Sequence, residues 1–148
     1  MPVEKLEVRI SLMHMMSKYR IILADDHVIL RAGVKRIIHE NPELIVIGEA
    51  GDGLELLQLL EESTPDMVIM DISMPRLPGI EAIKVIKGLY PEVKVLILTM
   101  HKSRDYLYKA MDNGADGFLL KEEPPESFHS AIKTIRDGKT YISPLLFG

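Results

Sequence analysis

Four short apolar runs in this sequence end on residues that can do chemistry. YRIILADDH (19–27) closes on Asp25 and Asp26, and MVIMDISMP (67–75) carries Asp71. LILTM (96–100) ends on Thr99, and GFLLKEE (117–123) on Lys121. Three carboxylates brought together repel, so they either raise one another's pKa or hold a cation. Cysteine is absent, and His14, His27, His39 and His129 show no metal-ligand spacing, so they are given no role. Oxygen donors favour a hard ion, and a few carboxylates with positions left for water suit Mg²⁺, with Mn²⁺ as a substitute. An ammonium and a hydroxyl beside that ion make a place for phosphoryl oxygens. The chemistry implied is phosphoryl transfer with one aspartate as nucleophile. Each residue alone has a plainer explanation, as a helix cap, a turn residue or a surface charge. Only their assembly at one place argues for a site.

That assembly depends on the elements between them. The runs at 20–24, 44–48, 67–70, 93–98 and 117–120 are short, continuous and rich in Val, Ile and Leu, as strands buried on both faces are. Helical spacing fills the gaps. Leu30, Val34, Ile37 and Ile38 share a face of 27–40, and Leu56, Leu57 and Leu60 share one of 53–62. Ile83 and Ile86 do so in 79–88, Leu107, Ala110 and Met111 in 103–112, and Phe128, Ala131, Ile132 and Ile135 in 125–137. Ser103 can open a helix, and Gly114 can close one. Five strands alternating with five helices predict a doubly wound α/β sandwich of three layers, its parallel sheet covered on both faces. In such sheets ligands bind at the carboxyl ends of the strands. That edge is where the acids, the threonine and the lysine fall.

The 148 residues suffice for one domain and carry a net charge of −4 with a pI near 5.7, which argues against a nucleic-acid surface on this chain. No apolar run reaches the ~18 residues of a spanning helix, and residues 1–18 lack a signal-peptide pattern. No membrane association is therefore expected, and a cytoplasmic location is. Residues 1–18 read as a disordered extension, with Met13, Met15 and Met16 as alternative starts. The alternation of Val8, Ile10 and Leu12 offers a short strand instead.

Over residues 19–138 the ordered motifs ILADDH, VIMDISMPRLPG, ILTM and GADGFLLK resemble the receiver domain of two-component response regulators. The ADDH start and the tail IRDGKTYISPLL are similar to the NarL/FixJ (LuxR-type) subfamily. The resemblance implies a flavodoxin-like (βα)5 fold with strand order 2-1-3-4-5. It implies that Asp71 accepts a phosphoryl group from a phosphohistidine on a sensor histidine kinase. Asp26, Asp71 and the Ser73 backbone carbonyl would ligate Mg²⁺, with Asp25 acting mainly through water. Thr99 and Lys121 would contact the phosphoryl oxygens, and Phe118 would be an aromatic switch turning inward as Thr99 moves. Ser73 and His101 stand at positions that tune dephosphorylation. The same resemblance makes 139–148 the start of a linker to an effector domain of helix-turn-helix type, absent from this chain, through which DNA would be bound. It also implies a homodimer on phosphorylation. The chemistry would be confined to self-phosphorylation and autodephosphorylation, without enzymatic turnover.

The sequence departs from the family where Glu122-Glu123 follow Lys121 in place of a common proline, and these acids are expected to pair with Lys121 before phosphorylation. Two other readings compete. A stand-alone receiver would signal by protein contact alone. An aspartyl-phosphate hydrolase of the haloacid dehalogenase type would need a second aspartate two residues after Asp71, where Ser73 stands.

Overall fold

The computed structural model describes residues 2–146, with residues 14–16 described by their backbone alone. Helix α1 (Val3–Ser17) leads into β1 (Tyr19–Ala24), α2 (Val28–His39), β2 (Leu44–Ala50), α3 (Gly53–Glu62) and β3 (Met67–Asp71). Then follow α4 (Gly79–Leu89), β4 (Lys94–Thr99), α5 (Arg104–Asp112), β5 (Gly117–Leu120), α6 (Pro125–Arg136) and β6 (Tyr141–Ile142). A 3-10 turn covers Pro144–Leu146. The five expected strands and five expected helices lie within two residues of their sequence positions.

All pairings are parallel, in the order β2-β1-β3-β4-β5-β6. Successive side chains of a strand point to opposite faces, so each central strand feeds two cores. Ile22, Val68, Met70, Val95, Ile97 and Phe118 meet α3, α4 and α5 through Leu56, Leu60, Ile83, Ile86 and Leu107. Ile21, Leu23, Ile69, Leu96, Leu98 and Leu119 meet α2 and α6 through Val34, Ile38, Phe128, Ile132 and Ile135. Apolar burial on both faces fixes register, since a slip of one residue would exchange the two cores. No helix among the described residues is long and apolar enough to cross a membrane.

Two segments differ from the sequence expectation. Residues expected to be disordered or strand-like form α1, whose Val3–Ser17 stretch contains no glycine or proline and holds several Met, Leu and Glu residues. Val8, Ile10 and Leu12 alternate in the sequence but are all exposed on that helix. The stretch expected to begin a linker instead adds a sixth strand to the sheet edge. Tyr141 pairs with Gly117 and Ile142 with Phe118, Ser143 donates its N–H to the Phe118 carbonyl at 2.9 Å, and Leu146 is buried in the core.

Candidate functional site

The carboxyl ends of β1, β3, β4 and β5 bring Asp25, Asp26, Asp71, Thr99 and Lys121 to one edge. Asp71 is the last residue of β3 and is buried at 4% exposure, as is Asp25. Asp25 follows β1 directly and is held by its N–H, which donates to the Ala50 carbonyl at 2.9 Å. Asp26 next to it is the open member of the pair, its side chain 36% exposed.

Lys121 joins the strand ends. Its side chain, 2% exposed, places Nζ 2.9 Å from Asp25 Oδ2 and 3.0 Å from Asp71 Oδ2. The contact with Asp71 is an aligned hydrogen bond. The contact with Asp25 is an ion pair by distance only, since that oxygen accepts no well-directed hydrogen bond. One cation thus offsets two buried carboxylates. Thr99 is fully buried, and its Oγ1 accepts the His101 N–H at 3.1 Å. Its carbonyl accepts the Lys121 N–H at 2.8 Å, so the hydroxyl and the lysine are fixed to each other through the backbone.

The loop after β3 is shaped by close backbone approach. Ser73 donates its N–H to Asp71 Oδ1 at 3.1 Å, which orients the carboxylate. Arg76 has φ of 70°, a left-handed conformation that an L side chain rarely adopts, and its guanidinium lies 2.8 Å from Asp52 Oδ2. The Glu55 N–H first, and then Arg76, hold the Asp52 carboxyl below the usual range. Backbone strain of this kind clusters at functional loops. The other end of the loop is pinned by Gly79, whose N–H donates to the Ile72 carbonyl at 3.0 Å.

Phe118 is fully buried among the α3–α5 core residues, in register with Ile97. His101 packs its ring against Tyr106 of α5, with centroids 5.6 Å apart.

The acids after Lys121 do not pair with it. Glu122 reaches Lys102 at 3.1 Å, linking the loop after β5 to the loop after β4. Glu123 turns inward, and its Oε2 accepts the Leu120 N–H at 3.0 Å. Lys121 already has two partners on its other side, so the expected pairing has no cation left to serve it. The buried Glu123 carboxylate also lies beside the Tyr141 hydroxyl of β6. Burial first, and then Glu123, push that phenol up.

His27 has no role on sequence grounds, yet the structure sets it against both acids. Its Nδ1 lies 3.1 Å from Asp25 Oδ1 and 3.3 Å from Asp26 Oδ1. His27 shares no ligand spacing with another histidine, and its nearness to the acids comes from the turn after β1. Among the described residues, Asp25, Asp26, His27 and Asp71 each present one donor atom, all within 4.8 Å of one another. This donor set can hold a divalent cation. His39 and His129 stand apart from the site, the first accepting the Val46 N–H at 3.1 Å and the second 3.9 Å from Glu40.

Comparison with known proteins agrees with this architecture. The model of the response regulator receiver domain matches residues 21–133. The transcriptional regulatory protein DegU of Brevibacillus brevis is 39% identical over 86% of this chain and 54% of its own length. The oxygen regulatory protein NreC of Staphylococcus carnosus is 40% identical over 84% of this chain and 58% of its own. The chain thus spans little more than half the length of these relatives. A LuxR-family two-component response regulator from Aurantimonas superposes with a TM-score of 0.84 at 38% identity, covering 88% of this chain and 93% of that one. The NarL receiver domain of Mycobacterium tuberculosis does so with a TM-score of 0.79 at 30% identity, covering 83% and 99%. With the family model spanning most of the sheet and its helices, and with relatives of the NarL/FixJ type on both counts, the chain belongs to the response regulator receiver domain family.

Proposed function

We propose that this chain is the phosphoacceptor of a two-component system, with Asp71 receiving the phosphoryl group of a sensor histidine kinase's phosphohistidine. The observation that carries the proposal is Lys121, buried between Asp71 and Asp25 at 3.0 and 2.9 Å. A buried ammonium bridging two strand-end carboxylates has its charge placed where phosphoryl oxygens would arrive. An Asp71 carboxylate oxygen attacks phosphorus, the P–N bond breaks, and its electron pair leaves with the imidazole. The product is an acyl phosphate, with Lys121 and the Thr99 hydroxyl as its contacts within the protein.

The residues present fit a Mg²⁺ ion. Asp26, Asp71 and the Ser73 carbonyl would hold it, with Asp25 acting through water. When bound, the ion offsets the charge that spreads over the phosphoryl oxygens in a loose transition state. The Ser73 N–H bond to Asp71 Oδ1 fixes the nucleophile without supplying charge. Water reaches the site past Ser73 and His101, which set the lifetime of the acyl phosphate. Movement of Thr99 toward the phosphoryl group, together with Phe118, carries the signal into α5.

The length of the relatives supports an effector half beyond this chain, a helix-turn-helix domain that regulates transcription, with dimerisation on phosphorylation. One similar structure, at 28% identity, is a complex of the two-component response regulator RcsB with DNA. DNA contact by this protein would come through that second domain, in the cytoplasm. The receiver's own chemistry is confined to phosphorylation and dephosphorylation of Asp71.

Incubation with acetyl phosphate and Mg²⁺, followed by intact-mass measurement, tests the central claim. The wild-type chain is expected to gain one phosphoryl group, and Asp71→Asn none. No gain in the wild type, or an equal gain in the variant, overturns it.

A further inference from the structure

Helix α1 stands outside both cores. Among the described residues neither core draws a side chain from Val3–Ser17, although only Lys18 separates the helix from β1. Val3, Leu6, Ile10 and Met13 are between 48% and 69% exposed. Their spacing of three, four and three residues is the repeat of a coiled-coil seam. Val3 and Ile10 take the first apolar position of each heptad, and Leu6 and Met13 the second. Val8 and Leu12 are exposed on the opposite side, but Lys5 stands where their stripe would extend by another turn. One face alone therefore keeps the repeat across both heptads.

The partner that fits this face is the same face of a second copy. A β-branched residue at the first position with Leu at the second favours two parallel strands. The charges of α1 also suit self-pairing, since Glu4 and Glu7 are offset by Lys5 and Arg9 in a chain whose net charge is −4. Two copies can meet here without the repulsion that an acidic surface would bring. A helix lying on a membrane would instead carry a face rich in Lys and Arg. Glu7 and Arg9 flank the seam on its two sides. Fully overlapped antiparallel helices would set Arg9 against Arg9 and Glu7 against Glu7, whereas parallel helices separate these like pairs.

We propose that α1 pairs with α1 of a second copy as a parallel two-stranded coiled coil, making this chain a dimer before any phosphoryl transfer. The helix joins the amino end of β1. Six residues of strand, at ~3.3 Å each, put that end about 20 Å from the edge that holds Asp71. The contact therefore leaves the acidic site open and does not depend on it. Helices of this length are marginal alone in water, so the pairing is concentration-dependent.

Sedimentation of the full chain in EDTA, with no phosphoryl donor, tests this. Across a micromolar to millimolar series, the wild type and Asp71→Asn should both rise from 16.7 kDa toward twice that mass. Leu6→Glu/Ile10→Glu should stay at the mass of one chain, while Val8→Glu/Leu12→Glu should dimerise as the wild type does. All four positions are exposed, so neither variant disturbs a core. Because cysteine is absent, Val3→Cys supplies a single thiol per chain. A parallel pair sets the two thiols across the seam within reach of a disulfide, and an antiparallel pair sets them at opposite ends. Mild oxidation of Val3→Cys should link the copies. A wild type that stays monomeric throughout overturns the proposal, as does equal loss of the dimer in both double variants. A doubled mass without cross-linking of Val3→Cys overturns the parallel pairing. A dimer that forms only after acetyl phosphate and Mg²⁺ are added overturns the proposal and leaves the phosphoacceptor reading standing.

Discussion

Lys121 is the residue on which the acid cluster depends in the absence of an ion. With its side chain 2% exposed between Asp25 and Asp71, it satisfies two carboxylates that burial would otherwise leave uncompensated. Breaking a buried ion pair from one side costs about 3–5 kcal/mol, because the abandoned charge stays buried. Lys121→Met is expected to lower unfolding stability by about that amount in EDTA. Added Mg²⁺ should restore more stability to the variant than to the wild type. Equal denaturation midpoints for the two proteins in EDTA would contradict this account. The acids, Thr99 and Lys121 were legible in the sequence because each follows an apolar run that ends at the same edge. His27 and the partner of Glu122 were not. Their contacts depend on loop direction, which no residue period encodes.

At the scale of elements, the switch from strand to helix after β3 sets how the loop around Asp71 is held. A Cβ added at Gly79 would stand 2.6 Å from Ile72 Cα and 2.7 Å from the Ile72 carbonyl oxygen, and backbone cannot move aside as a side chain can. Gly79→Ala is expected to cost about 2–3 kcal/mol, at the upper end of overpacking effects. Gly88, late in α4, meets nothing within 4 Å. Gly88→Ala should instead add about 0.5–1 kcal/mol by removing the entropy penalty of glycine in a helix. Urea denaturation of the two variants measures both signs. The ten elements flanking these loops were legible because each is either a continuous apolar run, buried on both faces, or sustains a period of 3.6 residues. Strand β6 was not, since Tyr141-Ile142 is too short to show any period. Helix α1 was not either: residues 1–18 read as a disordered extension from their terminal position, and the three-position alternation of Val8, Ile10 and Leu12 did not show a helical face.

Across the whole molecule, tyrosines at both ends of the domain tie its stability to alkaline pH. Burial first, and then Asp66, push Tyr19 in β1 up to about 12, against the opposing pull of Arg136 over its ring. Tyr141 in β6 moves in the same direction. A phenol whose folded pKa is raised contributes stability that is fully present below its unfolded value of about 10. That contribution is lost as pH rises from there toward about 12 for Tyr19. Unfolding free energy is therefore expected to fall over this window, and Tyr19→Phe should flatten the fall. A variant that falls as steeply as the wild type would show the phenol to be a bystander. The docking of β6 has a further consequence. Because β6 runs parallel to β5, the chain is carried back toward the edge that holds Asp71, and it is clamped there by buried Leu146 and by Arg104 Nε, 3.3 Å from the Leu146 carbonyl. Leu146 is thereby held beside the first turn of α5, a short step from the sheet. Short tethers raise effective concentration steeply. A segment joined at Leu146 would therefore start beside the edge that holds Asp71, where a few ångströms of movement in α5 would reach it.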